Sequence, residues 1–498
     1  MNADGNRARD ERESSGNQLS MPGGKRATNS FVIFLALSVA VTASAPLVFK
    51  FLDLAAECPD DSPSFMAVLH QVQHFRGHTM PDPIFNQILA ASNSVLCGAY
   101  AFFVASVSLM AFRRYAVNKA VPSPLELILL ISNGIIIRSL LAYVPYGNFD
   151  STSWEIVSKI VRRGGNIYTE TNRYNYTPIW AYILGFFGDI HAHWTSLPFH
   201  FLVRSFLGFV DILTLFVVAG IARLEGKSAF PTAIFFFLNP VSFLISGYHG
   251  QFENLSILFL LLAIYLSFLL KKRPLLSSSC LWLFSTLAVA IKHNIIYELI
   301  VCVKFASKKP VLRMVLLVFS AVLFLSLFAP YWAGGRQAIL RHVFLYTSGM
   351  GGYGITSLIT FLKMQPLFVA AVLLFPFALK VQDIVSQCLI CILFFLVFCT
   401  GMGEQYFVLP IALGALRPSR GFFIYSLAAS LYLLGSVNNV HIPGFSFISL
   451  NIVWIGAIYW FATELFEIDF KIKMKHALEP QMKALARRLR SLESSGRV

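Results

Sequence analysis

The stretch YGNFDSTSWEIVSKIVRRGGNIYTETNRYNYTPIWAYILGFFGDI, residues 146–190, is the longest run of polar, acidic and aromatic residues between the apolar segments of this chain. Trp154 and Val157 repeat with helical spacing on one face, and Lys159 and Arg162 fall on the other. This pattern predicts an amphipathic helix in a membrane interface. If the chain carries chemistry, we expect it in this stretch.

Local signals predict where the helices of this stretch begin and end. Thr152, with a glutamate three residues later, forms a capping box that would start the first helix, and Gly164 would end it. Thr177 and Pro178 supply an N-cap and a first-turn proline for a second, largely apolar helix. Asp150 is left just ahead of the first helix, next to the preceding apolar segment.

The composition indicates a polytopic membrane protein. Of 498 residues, 56% are hydrophobic and 13% are charged, whereas soluble proteins average about 25% charged residues. The mean hydropathy is +0.66. A net charge of +15 therefore reports on orientation, because Lys and Arg collect in cytoplasmic loops, and it is not evidence for nucleic-acid binding.

Apolar segments predict an all-α fold with about 12 to 14 transmembrane helices. The candidate spans are residues 31–53, 86–112, 124–145, 201–223, 229–247, 253–271, 275–291, 293–307, 312–333, 364–380, 384–402, 406–417, 420–437 and 448–466. Basic clusters near residues 113–119, 223–227, 271–273, 304–309 and 417–420 all fall on one side if these spans alternate, which makes that side cytoplasmic.

These signals divide the chain into five parts. The predicted parts are a cytoplasmic tail at 1–30, two additional N-terminal helices at 31–123, a transmembrane module at 124–333 that includes the acidic loop 146–200, a second transmembrane module at 334–466, and a basic cytoplasmic tail at 467–498. The opposite, extracytoplasmic face then receives the acidic loop and the turns near residues 250, 292 and 404.

Charged residues at the ends of apolar segments are costly in a membrane and often mark a cavity. The candidates that would face one extracytoplasmic vestibule are Asp150, His249, Gln251, Glu253, Asn254, Lys292, Arg336, Arg341 and Glu404. Structural explanations remain open for each kind of residue: an aspartate can serve only a turn, a lysine can extend to the interface, and a glutamate can lie in a solvated loop.

Several of these motifs, in the same order along the chain, resemble the lipid-phosphate-sugar-dependent glycosyltransferases of the GT-C superfamily. YGNFDSTSW with YNYTPIWAYILG is similar to that family's acidic loop, and LNPVSFLISGYHGQFENL, IKHNIIYEL and GMGEQYFVLPIAL are similar to segments of its dolichyl-phosphate-glucose-dependent members. The run from Arg173 to Ile179 is similar to one in the GPI mannosyltransferase catalytic subunit. The resemblance covers about residues 125–420 and implies a GT-C-like membrane fold with interfacial helices in an extracytoplasmic loop.

The resemblance also implies a chemistry: transfer of a hexose, glucose or mannose, from a polyprenyl-phosphate donor with inversion. It implies Asp150 as the catalytic base, Lys292, Arg336, Arg341 and His249 as ligands of the donor phosphate, and Gln251, Glu253, Asn254, Glu404 and Tyr176 as ligands of the sugar or acceptor. The family loop often has two acids at alternate positions, but here Asn148 takes the place of one. A required cofactor or metal is therefore not expected.

Two other classes of function remain open. A flippase or secondary transporter also has many spans, buried ionisable residues and broken helices. A non-catalytic subunit with a GT-C-like fold would tolerate Asn148. The expected partners are the lipid bilayer, the polyprenyl-phosphate donor and a glycan, lipid or protein acceptor. The expected location is the bacterial inner membrane or the endoplasmic reticulum membrane.

Overall fold

The structure, a computed structural model, describes residues 123–143, 149–195, 197–345, 362–437 and 448–466, and every regular element in these ranges is a helix. The helices of the first half are α1 (Pro124–Tyr143), α2 (Phe149–Arg162), α3 (Pro178–His193), α4 (Phe199–Leu224), α5 (Ala229–Phe237), α6 (Pro240–Phe243, continued by a π-helical turn Leu244–Tyr248), α7 (Glu253–Leu269) and α8 (Pro274–Ile291). Those of the second half are α9 (Ile296–Ala306), α10 (Pro310–Ser326), α11 (Ala329–Ile339, continued by a π-helical turn Leu340–Phe344), α12 (Gln365–Ala378), α13 (Ile384–Phe398), α14 (Ile411–Leu416), α15 (Arg420–Val437) and α16 (Ile448–Phe466).

Four of the described helices, α1, α4, α8 and α16, are long and apolar enough to cross a membrane, and the number rises to six if each of two bent helix pairs is one span. The all-helical fold is thus confirmed for the described residues, and the apolar helices are compatible with a lipid bilayer, whereas the number of 12 to 14 spans stays a prediction. Helices α7, α12 and α13 and the segment Glu404–Leu416 are apolar but shorter. The predicted tails, the predicted spans 31–53 and 86–112, and Asn148 lie outside the described residues.

Helix α4 lies at the centre of the first half, where α1, α5 and α7 pack against it, and α7 also packs against α8. Its 26 residues correspond to about 39 Å of helix. Bulky apolar side chains such as Leu207, Val210 and Val218 are fully buried between these helices.

Two predicted spans are bent rather than straight. Helices α5 and α6 meet at 48° where Asn239 caps the second helix and Pro240 begins it. Helices α10 and α11 meet at 89°, so the predicted span at 312–333 is broken near its end. The break falls just before Pro330, which occupies the first turn of α11 and lacks the N–H that would continue α10.

The acidic loop folds as the predicted pair of helices, with one correction at its start. Helix α2 begins at Phe149, so Thr152 lies inside the helix rather than at its cap, and Glu155 pairs with Lys159 at 2.8 Å. Asp150 is consequently in the first turn of α2. Gly164, with φ of +71°, lies just beyond the end of the helix as predicted, in a backbone conformation that glycine adopts most easily.

The contact between α2 and α3 buries the predicted apolar face. Trp154 and Val157 are buried, and Trp180 from α3 meets Trp154 edge to face with ring centroids 5.9 Å apart. Thr177 precedes α3 in an extended conformation, as predicted, but its hydroxyl donates a hydrogen bond to the carbonyl of Ala290 instead of capping α3. The start of α3 is thereby joined to the end of α8.

Candidate functional site

Asp150 and Gln251 form the centre of the site. The Gln251 side-chain amide donates a hydrogen bond to the Asp150 carboxylate, although the two residues are 101 positions apart. The turn that carries Gln251 is held against α2 because the Trp154 indole donates a hydrogen bond to the Gly250 carbonyl at 3.1 Å. Gly250 has φ of +65°, which favours glycine at that point of the turn.

The surroundings of Asp150 act on its protonation in opposing directions. Burial raises the pKa of the carboxyl above its ordinary range, whereas the charge of Lys292 and the hydrogen bond from Gln251 lower it. The charge of Glu404 adds to the increase, and that of Arg173 opposes it. Asp150 is thus a carboxylate whose charge depends on neighbouring cations, as is common for groups at functional sites.

Lys292 and Glu253 form an ion pair beside this centre. Lys292 follows α8 in an extended conformation, and its ammonium group contacts the Glu253 carboxylate at the start of α7. The ammonium lies 4.4 Å from the ring centroid of Phe252 and 4.7 Å from that of Tyr176, which adds cation–π attraction. Lys292 is therefore held by one carboxylate and two aromatic rings.

His249 and Glu404 form a third contact at the site. The Nδ1 atom of His249 lies 3.5 Å from a carboxylate oxygen of Glu404. The other oxygen of Glu404 accepts a hydrogen bond of 3.1 Å from the Tyr432 hydroxyl on α15. Glu404, which belongs to the second half of the chain, thereby joins the residues of α2 and of the turn before α7 in one site.

Asn254 connects the site to a buried group of polar residues that were not among the residues predicted from the sequence. Its amide donates a 2.5 Å hydrogen bond to Asp211 on α4, and Asp211 forms an ion pair of 2.7 Å with Arg138 on α1. Arg204, also on α4, is buried beside Ser151 and the Tyr248 ring. Each of these three charged residues interrupts an apolar segment, and that signal alone marks a membrane residue as a functional candidate.

The predicted phosphate ligands Arg336 and Arg341 are placed differently from Lys292. Both are exposed on α11 and its π-helical turn, and the guanidinium of Arg336 lies 5.8 Å from the Trp332 ring centroid. Helix α11 borders the site's loop through Tyr331, whose ring is 5.5 Å from that of Tyr168. Within the described residues, neither arginine forms an ion pair with the carboxylates of the site.

No group of three or more His, Cys, Asp or Glu side chains in the described ranges is arranged to hold a metal ion. The expectation that no metal is required stays a prediction. Comparisons with models of known protein families, with curated proteins and with solved structures find no match to this chain.

Proposed function

We propose that the chain is a membrane glycosyltransferase that moves a hexose, glucose or mannose, from a polyprenyl-phosphate donor to an extracytoplasmic acceptor with inversion. One observation carries the proposal: Asp150, hydrogen-bonded by Gln251, lies within electrostatic reach of both Lys292 and Glu404. Four segments far apart in sequence thus bring a half-buried carboxylate, a cation and a second acid to one place in an otherwise apolar helical protein.

In the proposed reaction, Asp150 is the general base. An acceptor hydroxyl attacks the anomeric carbon of the donor sugar, a carbon–oxygen bond forms, and the bond from that carbon to the phosphate oxygen breaks. Asp150 takes the hydroxyl proton, and polyprenyl phosphate leaves with the electron pair of the broken bond. A positioned base of this kind contributes about 100- to 10,000-fold in rate.

The leaving phosphate is an anion and needs positive charge more than an acid. Lys292, whose charge acts on Asp150, is the first candidate for this role, but it is paired with Glu253. Arg336 and Arg341 are exposed on the helix that borders the loop, and we assign them to the phosphate as it arrives and departs. His249 supports these cations from beside Glu404.

The remaining polar groups would hold the sugar and the acceptor hydroxyls. These groups are Gln251, Glu253, Asn254, Glu404 and Tyr176. Gln251 also orients Asp150, and the Tyr176 ring covers Lys292. The isoprenoid tail would lie against apolar helix surface, of which α10 offers a large area through Val311, Met314 and Phe319.

The decisive experiment is transfer of radiolabelled sugar from polyprenyl-phosphate-glucose and polyprenyl-phosphate-mannose in membranes that carry the wild type or Asp150→Asn. Asp189→Asn is the matched control, because Asp189 is an exposed carboxylate on α3 that pairs with Arg162 at 2.8 Å. We expect donor-dependent product with the wild type and the control, no product with Asp150→Asn, and no effect of a chelator. Wild-type membranes that are silent with both donors would refute the proposal.

The two bent helix pairs favour one other function, because transporters build their substrate sites at broken helices. Reconstituted liposomes distinguish the two. A transporter would move a labelled lipid or solute across the bilayer without forming a glycosidic bond, and a transferase would form labelled product in detergent micelles, where there are no compartments.

A further inference from the structure

A fully buried polar cluster lies among helices α1, α4, α6 and α7; we call it the Asp211 cluster. Its members are Arg138, Asp211, Ser242, Ser246 and Asn254. The Asp211 carboxylate accepts hydrogen bonds from Arg138 at 2.7 Å, from Ser246 at 2.6 Å and from Asn254 at 2.5 Å. Ser242 accepts a hydrogen bond of 3.2 Å from the second guanidinium nitrogen of Arg138.

The cluster contacts both ends of one segment. At the first end, Arg138 donates a 3.0 Å hydrogen bond to the Phe237 carbonyl, at the bend between α5 and α6. At the other end, Asp211 binds Asn254 in the first turn of α7. Residues 237–254 are thus fixed at their start, at Ser246 in their middle, and at their end.

That segment is the one that carries the site. His249, Gln251 and Glu253 all lie within it, and they meet Glu404, Asp150 and Lys292 respectively. The segment also packs closely on α1, because a Cβ on Gly247 would lie 3.2 Å from the Leu141 side chain. A displacement of residues 237–254 relative to α1 and α4 would therefore move three contacts of the site together.

An ion pair in this setting is a poor source of stability. The free energy lost when two charges leave water is about as large as the free energy gained from their attraction. Apolar replacements of similar volume are therefore often neutral or stabilising. A network of directional bonds does, however, favour one arrangement over others. The cluster is thus better suited to fixing a conformation than to holding the bundle together.

We propose that Arg138 and Asp211 are positioning residues that fix residues 237–254, so that Gln251 meets Asp150 and Glu253 meets Lys292. Neither residue touches the reacting groups. The effect on catalysis rests on the proposed function, whereas the effect on the segment does not. A displacement of about 1 Å in a reacting group is enough to reduce a rate about 100-fold.

The test is the double variant Arg138→Met/Asp211→Leu, which removes both charges and leaves no unpaired ion. Hydrogen–deuterium exchange of peptides within 237–254 measures the segment itself, and sugar transfer measures kcat and KM. Ser246→Ala is a milder variant that keeps the ion pair. Thr286→Val/Ser320→Ala is the control, because it removes a buried 2.8 Å hydroxyl contact between α8 and α10, outside the cluster.

We expect the double variant to fold and to exchange about tenfold faster in residues 237–254, with α12 and α13 unchanged. We expect kcat to fall about 30-fold or more with KM within about threefold, and a smaller change in both readouts for Ser246→Ala. The control should match the wild type.

Three results would overturn the proposal: wild-type exchange in residues 237–254 of the double variant, an equal rise of exchange in α12 and α13, or a double variant that does not fold. The last two would assign the cluster to the stability of the bundle. A wild type that transfers no sugar would refute the proposed function instead, and the exchange comparison would still decide the role of the cluster.

Discussion

Lys292 and Glu253 face each other in an ion pair whose side chains are only 1% and 0% exposed. A buried pair of this kind is hard to break from one side, because the remaining charge stays in an apolar environment without compensation. The pair also joins the end of α8 to the start of α7, and the two helices pack along their lengths.

Lys292→Met should therefore reduce the free energy of unfolding by about 3–5 kcal/mol, and adding Glu253→Leu should restore most of that loss. Lys159→Met is the control, since Lys159 belongs to an exposed pair on α2 and should cost no more than about 0.5 kcal/mol. Thermal unfolding in detergent measures all three. A double variant less stable than Lys292→Met would contradict the prediction.

The pH dependence of transfer should follow Asp150. Burial raises the pKa of its carboxyl above the ordinary value of about 3.9, and a general base acts only when it is deprotonated. The rate should therefore decrease as the pH falls through this raised pKa and level off above it. The measurement is kcat/KM from about pH 4 to pH 8.

Gln251→Leu should move the acidic limb of that profile to higher pH. The hydrogen bond from Gln251 lowers the pKa of Asp150, so its loss leaves the neutral form more favoured. Gln337→Leu, a change to an exposed glutamine on α11, serves as the control and should leave the profile where it is. An acidic limb that moves to lower pH in Gln251→Leu would show that Asp150 is not the titrating group.

Arg417 joins two halves of the chain on the side opposite the site. Its guanidinium binds Glu225, at the end of α4, at 2.5 and 2.7 Å and Asp383, the N-cap of α13, at 2.7 Å. Arg417→Met should lower the free energy of unfolding by about 1.5–3 kcal/mol. Arg417→Lys should recover little of it, because an ammonium group cannot make the same forked contacts.

The contact between Arg417 and Asp383 should also make the free energy of unfolding depend on pH. Burial alone would raise the pKa of Asp383, but the charge of Arg417 and the hydrogen bonds from Ser386 and Arg417 bring it below its ordinary range. Its contribution is present above the unfolded pKa of about 3.9 and is lost as the pH falls through the lowered value. Because Glu225 still binds Arg417, the difference in free energy of unfolding between wild type and Arg417→Met should narrow, and not vanish, as the pH falls through that value. A difference that stays constant over this pH range would contradict this account.

The contact between α2 and α3 leaves no room for a side chain at Gly185. A Cβ there would lie 2.6 Å from the Val161 side chain, so Gly185→Val should force the two helices apart at a cost of about 1–3 kcal/mol. Because α2 carries Asp150, transfer should fall as well. Phe186→Leu, at an exposed neighbouring position, is the control, and equal losses of activity in both variants would contradict the prediction.

Much of the fold follows from local sequence. Long apolar segments predict α1, α4, α8 and α16. This prediction requires no knowledge of the neighbouring helices, because any helix that crosses a membrane needs about 20 apolar residues. Gly164 and Pro178 mark helix ends through their own backbone preferences. Helix α2 begins three residues before the predicted capping box, and Asp150 and Ser151 in this added turn accept hydrogen bonds from Gln251 and Arg204, which come from distant segments.

The partners of the charged residues were decided by tertiary structure. The sequence alone identifies Asp150, Lys292 and Glu404 as charged residues at the ends of apolar segments. The free-energy cost of a charge in a membrane depends on its position in its own segment, so it can be recognised without knowledge of the neighbouring helices. The packing of helices that are far apart in the chain brings Gln251 to Asp150. The same packing leaves Arg336 and Arg341 exposed. Hydrogen bonds and ion pairs act over a few ångströms, and only the packed helices bring Arg138, Asp211 and Asn254 within that distance.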